Sequence, residues 1–323
     1  MMLSILKLQP HAHGGLLFSG GVIGGLNLAG FAVTAALETH KLTDLVGAGS
    51  FVASAVLCAR RAAGPGGVGA LPLRAALLAG AVAAWGTRLA GYLFRRVLYV
   101  GGDDRLDSFY PEEGEGWFNW EKSFYPVKLS GFWVIQAAWG WLVSAPVTLA
   151  IFNAASPNAG AAQAAAARRL GWGGALSLAA FVGGLLLEWV ADQQKWVFKK
   201  KEENKGKWIE TGVWRYSRHP NYFGETAVWW GLLGLAAPLL RGPGQLALGL
   251  ASPLFTTLLL TQVSGIPMLE KKYDARYANS AEYQAYKART NVLIPWFPRP
   301  LVKNDVVPQP SSSSYKKESK KEL

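Results

Sequence analysis

Cysteine occurs once, at Cys58. That excludes a disulfide within the chain and any zinc site built from thiolates. Cys58 lies in an apolar run and reads as a small core residue. Charge is also scarce: Asp, Glu, Lys and Arg supply 17% of the 323 residues. Acids are the scarcer sign, 21 against 33 bases, which leaves a formal net charge of +12 and a pI of about 9.7. No Asn-x-Ser/Thr acceptor is present, so N-glycosylation is excluded. Histidine occurs four times. His11 and His13 form a His-x-His pair with no carboxylate or cysteine beside them, so no metal site is expected. The start, MMLSILKLQPHAHGG, has too short an apolar run before Pro10 to read as a signal peptide.

What the chain has instead is apolar surface. Half of it is hydrophobic, with 37 Gly, 14 Trp and a mean hydropathy of +0.14, a membrane composition. Runs long enough to span a bilayer fall near 16–37, 45–59, 73–94, 129–151, 173–194, 224–240 and 245–263. Lipid forbids open sheet edges, so an all-α polytopic bundle of about seven spans is predicted, a single integral domain over 1–302. Its Gly and Ala content allows close helix packing. The surplus of bases calls for anionic partners such as nucleotide phosphates or lipid head groups. Nucleic acid is not expected, because the bases are spread over loops between apolar runs.

Several lesser features have plain readings. Gly64-Pro-Gly66-Gly-Val-Gly69 is formally G-x-G-x-x-G, but it follows no strand and reads as a loop. Residues 152–170 read as an Ala/Asn loop. Residues 281–289 read as a short surface helix, with Asn279 and Glu282 spaced as its cap. The Ser- and Lys-rich tail 303–323 reads as disordered. It ends Lys320-Lys321-Glu322-Leu323, which resembles the dilysine retrieval signal of endoplasmic-reticulum membrane proteins. Clusters of bases at 195–207 and 271–287 place their side, and the C-terminus, in the cytosol. An integral protein of the endoplasmic reticulum is the expectation.

Three stretches carry chemistry. Gly212 to Gly231 reads GVWRYSRHPNYFGETAVWWG. A polar cluster, Arg215 to Tyr222, runs into an apolar helix expected to start near Gly224, and Pro220 stops any helix from crossing the cluster. Arginines, a histidine and an asparagine aimed at a helix N-terminus suit an anion. Glu225 follows at apolar depth, where acids are costly and functional. On the third span, Trp85, Arg88, Tyr92, Arg95 and Tyr99 recur at helical spacing, with Arg96 beside them. On the fifth, Glu188, Asp192, Lys195 and Lys199 do the same. Such stripes face a bundle interior or a cavity. They could also be salt bridges that only hold the bundle.

RYSRHPNYFGE followed by WWG resembles the C-terminal signature of the steroid 5α-reductase superfamily, within the branch called domain of unknown function 1295. Sterol reductases and isoprenylcysteine carboxyl methyltransferases carry related signatures. Glu188-x-x-Ala191-Asp192-x-Gln194-Lys195-x-x-Phe198-Lys199 also resembles that branch, as do Arg88 to Arg96, Leu269 to Tyr273 and Leu293-Ile294-Pro295. The likeness spans about 85–302. It implies a helical bundle that holds NADPH at its cytosolic end and takes a lipid-like substrate from the bilayer. Asp192, Lys199, Asn221 and Glu225 match cofactor-contacting positions, and Arg88 and Tyr92 match a family arginine and tyrosine. The steroid enzymes' catalytic tyrosine falls where this chain has Trp85, and their partner glutamate has no clear counterpart beyond Glu38 or Asp44.

The expected activity is therefore reduction of an activated carbon–carbon double bond. Tyr92 is the expected proton donor, with Tyr216 second, and Glu225 and Asn221 are expected to orient the nicotinamide. Arg95, Arg96, Lys199, Arg215, Arg218 and His219 are expected to hold phosphates. Lys195, Ser217, Tyr222 and Glu270 complete the expected cofactor site. A methyltransferase using S-adenosylmethionine and a non-enzymatic membrane scaffold or lipid-binding protein are the alternatives. No obligate protein partner is evident.

Overall fold

The computed structural model describes residues 10–300 apart from 103, 112–113, 115–116, 119 and 122–123. The tail with Lys320 and Lys321 lies outside the described residues, as does the side chain of His11. Among the described residues there are helices and no β-strand. Apart from a single turn at Asp104–Asp107, the α-helices are α1 Pro10–Ala36, α2 Thr43–Ala63, α3 Leu73–Val100, α4 Val127–Ala154, α5 Ala161–Arg168, α6 Gly171–Lys200, α7 Pro220–Ala236, α8 Gly242–Leu258, α9 Ile266–Arg276 and α10 Ala281–Arg289. Six runs among the described residues are long and apolar enough to cross a membrane: 12–36, 43–66, 73–100, 127–154, 171–200 and 242–276. The chain is thus an all-α polytopic membrane protein.

Four expectations need correction. The seventh span, expected at 224–240, is the 17-residue α7, which is not among the six. It begins at Pro220, four residues early. Proline lacks only an N–H that the first helical turn leaves unbonded anyway, so Pro220 opens the helix while, as expected, none runs through it from the cluster side. Residues 152–170 are not a loop throughout. Their AAQAAAAR stretch, made of strong helix formers, is α5. The cap of α10 is Ser280, whose Oγ accepts the Tyr283 amide at 3.2 Å, and not Asn279. Nor does α10 lie wholly on the surface, since Tyr283 and Tyr286 are buried. The Gly64–Gly69 segment is, as expected, irregular: two short 3-10 turns join α2 to α3.

The chain divides into two compact units, Met1–Leu178 with Gly231–Pro253, and Ala179–Trp230 with Leu254–Leu323. In the first, glycines of α1 make room for aromatic rings of α4. A Cβ at Gly30 would lie 2.5 Å from the Trp133 ring, and one at Gly15 would enter the Phe152 ring. Polar pairs tie α1 to its neighbours: Gln136 Nε2 of α4 donates to Asn27 Oδ1 at 2.9 Å, and the hydroxyls of Ser19 and of Ser54 on α2 lie 2.9 Å apart. In lipid, small residues and such bonds replace the hydrophobic drive between helices. Arg74, at the start of α3, is buried. Its guanidinium donates to the carbonyls of Ala166 (2.6 Å), Arg169 (3.1 Å) and Leu235 (3.2 Å), and to that of Leu170. It thereby satisfies carbonyls left open where α5 ends.

In the second unit α6 and α7 cross glycine on glycine. A Cβ at Gly184 would lie 2.6 Å from the Gly224 carbonyl oxygen, and a Cβ at Gly224 2.6 Å from that of Gly184. The two backbones therefore touch with no side chain between them. Glu188, one turn beyond Gly184, lies against Gly224 as well. Further on, α8 loosens into a π turn at Leu259–Val263 before α9 begins.

Gly224→Ala or Gly184→Ala should lower stability by about 1–3 kcal/mol, because an added methyl must push two backbones apart. Gly183→Ala is the control. Nothing lies within 4 Å of its would-be Cβ, and it should gain up to about 1 kcal/mol from helix propensity. Thermal unfolding of the purified protein in detergent measures both. Equal effects at Gly183 and Gly184 would contradict the crossing.

Candidate functional site

The motif loop is built onto α6. Gly212 has φ of +61° and sits against the Gln194 side chain, whose Oε1 accepts the Val213 amide at 2.9 Å. A left-handed φ and this close approach both require glycine. Gly212–Arg215 form a 3-10 turn. Trp214 is buried and donates its indole N–H to the Ala191 carbonyl at 3.1 Å. From the other side, the Tyr286 hydroxyl donates to the Trp214 carbonyl at 2.9 Å. Burial pushes the Tyr286 phenol up, so it stays a protonated donor.

The polar cluster is held from within the chain. Ser217, fully buried, donates to the Leu293 carbonyl at 2.8 Å and accepts the His219 amide at 3.1 Å. The Arg218 amide donates to the Asn291 carbonyl at 2.8 Å. Its guanidinium meets the Glu270 carboxylate two-pronged, Nε to Oε1 at 3.1 Å and Nη2 to Oε2 at 2.9 Å. Nη1 donates to the Lys287 and Thr290 carbonyls at 2.7 and 2.8 Å. Four guanidinium N–H groups of Arg218 are thus committed to the chain itself. His219, also buried, meets Glu270 Oε1 through Nε2 at 2.8 Å and stacks on Tyr222 with ring centroids 5.6 Å apart. Burial lowers its pKa, and Lys195 and Arg218 add to that, while Glu270 opposes it. The imidazole is therefore neutral at neutral pH, with Nε2–H donating to the carboxylate. Lys287 completes the cluster, 3.6 Å from Glu270 Oε2 and 2.6 Å from Asp274.

Beside this cluster lies a polar pair at the α6–α7 crossing. Asn221 Nδ2 donates to Asp192 Oδ1 at 3.3 Å, and Asp192 and Glu188 are both buried. One turn along α7, Glu225 Oε1 accepts the Trp229 indole N–H at 2.7 Å. Along α6, Lys195 Nζ stands 5.2 Å over the Trp214 ring, and Lys199 Nζ donates to the Lys207 carbonyl at 3.3 Å. Lys195, Lys199, Lys272 and Arg276 all lie near enough to Tyr273 to act on its phenol electrostatically.

The sequence-predicted residues therefore fall into groups. Arg218, His219, Tyr222, Ser217 and Glu270 form one interlocked cluster. Asp192, Asn221, Glu225, Lys195 and Lys199 line the α6–α7 face. Tyr216 and Arg215 are exposed. The Tyr216 ring packs edge-on against Phe297, 6.0 Å between centroids, and its carbonyl accepts the Trp296 amide. Arg88, Tyr92, Arg95 and Arg96 lie in the first unit. There Trp85 is buried against Phe51, Arg88 and Tyr92 are half-buried, Arg95 is exposed, and Arg96 lies 3.5 Å from Asp44. Sequence reasoning gave no site role to Gln194, Thr290 or the carbonyls of 291–293, which bind through backbone atoms or a lone amide and leave no motif, and it counted Lys287 only among the basic residues that set orientation. Among the described residues no group of three or more His, Cys, Asp or Glu could hold a metal ion.

Glu270→Ala leaves the part-buried Arg218 guanidinium without its counter-charge and should cost about 2–4 kcal/mol, somewhat less than for a fully buried pair. Loss of only a few tenths would contradict the clamp. The depressed pKa of His219 gives a second test. An unfolded histidine titrates near about 6.5. The contribution of His219 is full above that pH and is lost as pH falls toward its lower folded value, because the unfolded state then binds the extra proton. The thermal midpoint should fall between pH 7.5 and 5.5, and His219→Gln should flatten that slope.

No curated protein and no solved structure matches the chain significantly. One family does, described as "Protein of unknown function (DUF1295)", over residues 30–290. The match holds the motif loop, both polar helices and Glu270. It also begins well before residue 85 and takes in α2, where motifs gave no foothold. With most of its length matched, this polytopic membrane protein belongs to the DUF1295 family.

Proposed function

We propose that the chain is a membrane-embedded, NADPH-dependent reductase of a lipid-like carbon–carbon double bond. The observation that carries this reading is the Asp192–Asn221 pair, 3.3 Å apart at the glycine crossing, with Lys195 and Lys199 following on the same helix. A carboxylate and a carboxamide suit the hydroxyls and amide of a nucleotide cofactor. The cations around Tyr273 suit its phosphates. The donor set thus fits NADPH, which supplies a hydride when bound. S-adenosylmethionine carries no phosphate and leaves those cations without a purpose.

Within this reading the residues divide by task. Asn221 and Glu225, one turn apart on α7, orient the nicotinamide end. Asp192 fixes Asn221. Lys195 and Lys199 hold phosphate. Arg218, His219 and Glu270 act by holding the loop and the start of α7 in place, because their polar atoms already bind each other. Reduction leaves an enolate-like charge that needs a proton. The proton is assigned to Tyr92, a hydroxyl half-buried on an apolar helix.

NADPH should raise the thermal midpoint of the detergent-solubilised protein, and S-adenosylmethionine should not. The reverse result would establish the methyltransferase alternative, and no shift from either would favour a scaffold. Lys199→Ala should weaken NADPH binding by about 1–3 kcal/mol, the loss of one charged hydrogen bond. Tyr92→Phe should leave NADPH affinity intact and lower turnover on an enone lipid by about 10²–10⁴-fold. Full turnover in Tyr92→Phe would remove it from the mechanism.

A further inference from the structure

The segment 291–300 is irregular backbone with exposed apolar side chains. Ile294 is 61% exposed, Trp296 67% and Phe297 72%. Irregular backbone facing lipid is not tolerated in the hydrocarbon, where its polar groups would go unbonded. In a membrane protein, exposed Trp and Phe on such a segment therefore belong at the level of the head groups, where aromatic rings collect. This segment is also pinned. The Trp296 amide donates to the Tyr216 carbonyl at 3.0 Å, and the Arg299 amide to the Arg289 carbonyl at 2.9 Å.

Next to those rings is an open hollow of about 600 Å³ lined by Glu210, Gly212, Arg215, Arg289, Pro298 and Arg299 among others. Three arginines and one glutamate are among its lining residues. Glu210 is taken by Arg289 at 3.0 Å. Among the described residues neither Arg215 nor Arg299 has a carboxylate within ion-pair distance. The hollow thus carries excess positive charge, on the side chains best shaped to grip phosphate with two hydrogen bonds.

We infer that this hollow binds the phosphate of an anionic phospholipid head group, with Trp296 and Phe297 seated among the adjoining chains. The assignment goes beyond the reductase reading and does not depend on it. A soluble phosphate would explain the guanidiniums but not the exposed rings beside them, whereas a lipid explains both. The chemistry asked for is a phosphomonoester or another head group with net negative charge. Phosphatidylcholine, whose ammonium offsets its phosphate, should not satisfy it.

The test is thermal unfolding of the full-length protein in neutral detergent micelles doped with phosphatidic acid, with phosphatidylcholine at the same mole fraction, or with inorganic phosphate in the buffer. Phosphatidic acid should raise the midpoint by several degrees, and the other two should leave it unchanged. The double variant Arg215→Gln/Arg299→Gln should lose that rise. The double variant Lys201→Gln/Lys271→Gln removes the same charge from exposed positions elsewhere and should keep it. No rise in the wild-type protein overturns the inference with no variant needed. A rise lost equally in both double variants would mean diffuse charge attraction and also overturns it. An equal rise with inorganic phosphate would assign the hollow to a soluble phosphorylated ligand instead of a lipid.

Discussion

A single carboxylate, Glu270, must neutralise a part-buried guanidinium and hold a buried imidazole at the same time. Taking most of the Arg218 guanidinium out of water would be costly without it. Once the pair forms, the remaining donors of Arg218 reach the last carbonyls of α10, and Ser217 and the Arg218 amide fasten the stretch after it. The loop, α9, α10 and the 291–300 segment are thereby joined through one residue. His219 sets the entry to α7 by its carbonyl, which accepts the Tyr222 and Phe223 amides. The position of Asn221, three residues beyond Arg218, follows from that anchorage.

This changes how the motif is to be read. As a sequence, Arg-His-Pro-Asn looks like an anion cradle. In the fold its arginine and histidine face inward, onto an acid fifty residues away. The stretch's basic character is cancelled locally, and the cations that gather around Tyr273 come from α6 and α9 instead. Arg215, two residues before Ser217, points to different surroundings altogether. One run of eight residues thus serves three places: an internal clamp, the start of a polar helix face, and an exposed hollow.

Much of the architecture was legible because lipid leaves so few choices. Long apolar runs had to be helices, and the runs beginning near residues 16, 45, 73, 129, 173 and 245 are helical in the fold. What failed was punctuation. Pro220 lies at the first position of its helix, so the helix starts four residues before Gly224, and the alanines of 161–168, which read as part of a loop, form a helix of their own. At the site, helical spacing correctly put Glu188, Asp192, Lys195 and Lys199 on one helix, and Glu270 was named without its task. Its partnership with Arg218 is a long-range pairing that periodicity does not carry. The bonds to the carbonyls of Lys287 and Thr290 were beyond reach, because any residue presents a carbonyl.

The glycine crossing of α6 and α7 has a consequence for how this family can vary. Most helix contacts drift by exchange: one side chain grows while its neighbour shrinks. Gly184 and Gly224 have nothing left to shrink, and the atoms nearest each are the other's backbone. Trimming Ala227, also close to Gly184, would not clear the Gly224 carbonyl. No second-site change of side chain can compensate a first one here, and only a shift of a whole helix could. Descendants of this sequence therefore inherit the crossing as a ratchet: the polar pair beside it can be exchanged for other chemistry, but the distance between the helices that carry it stays fixed.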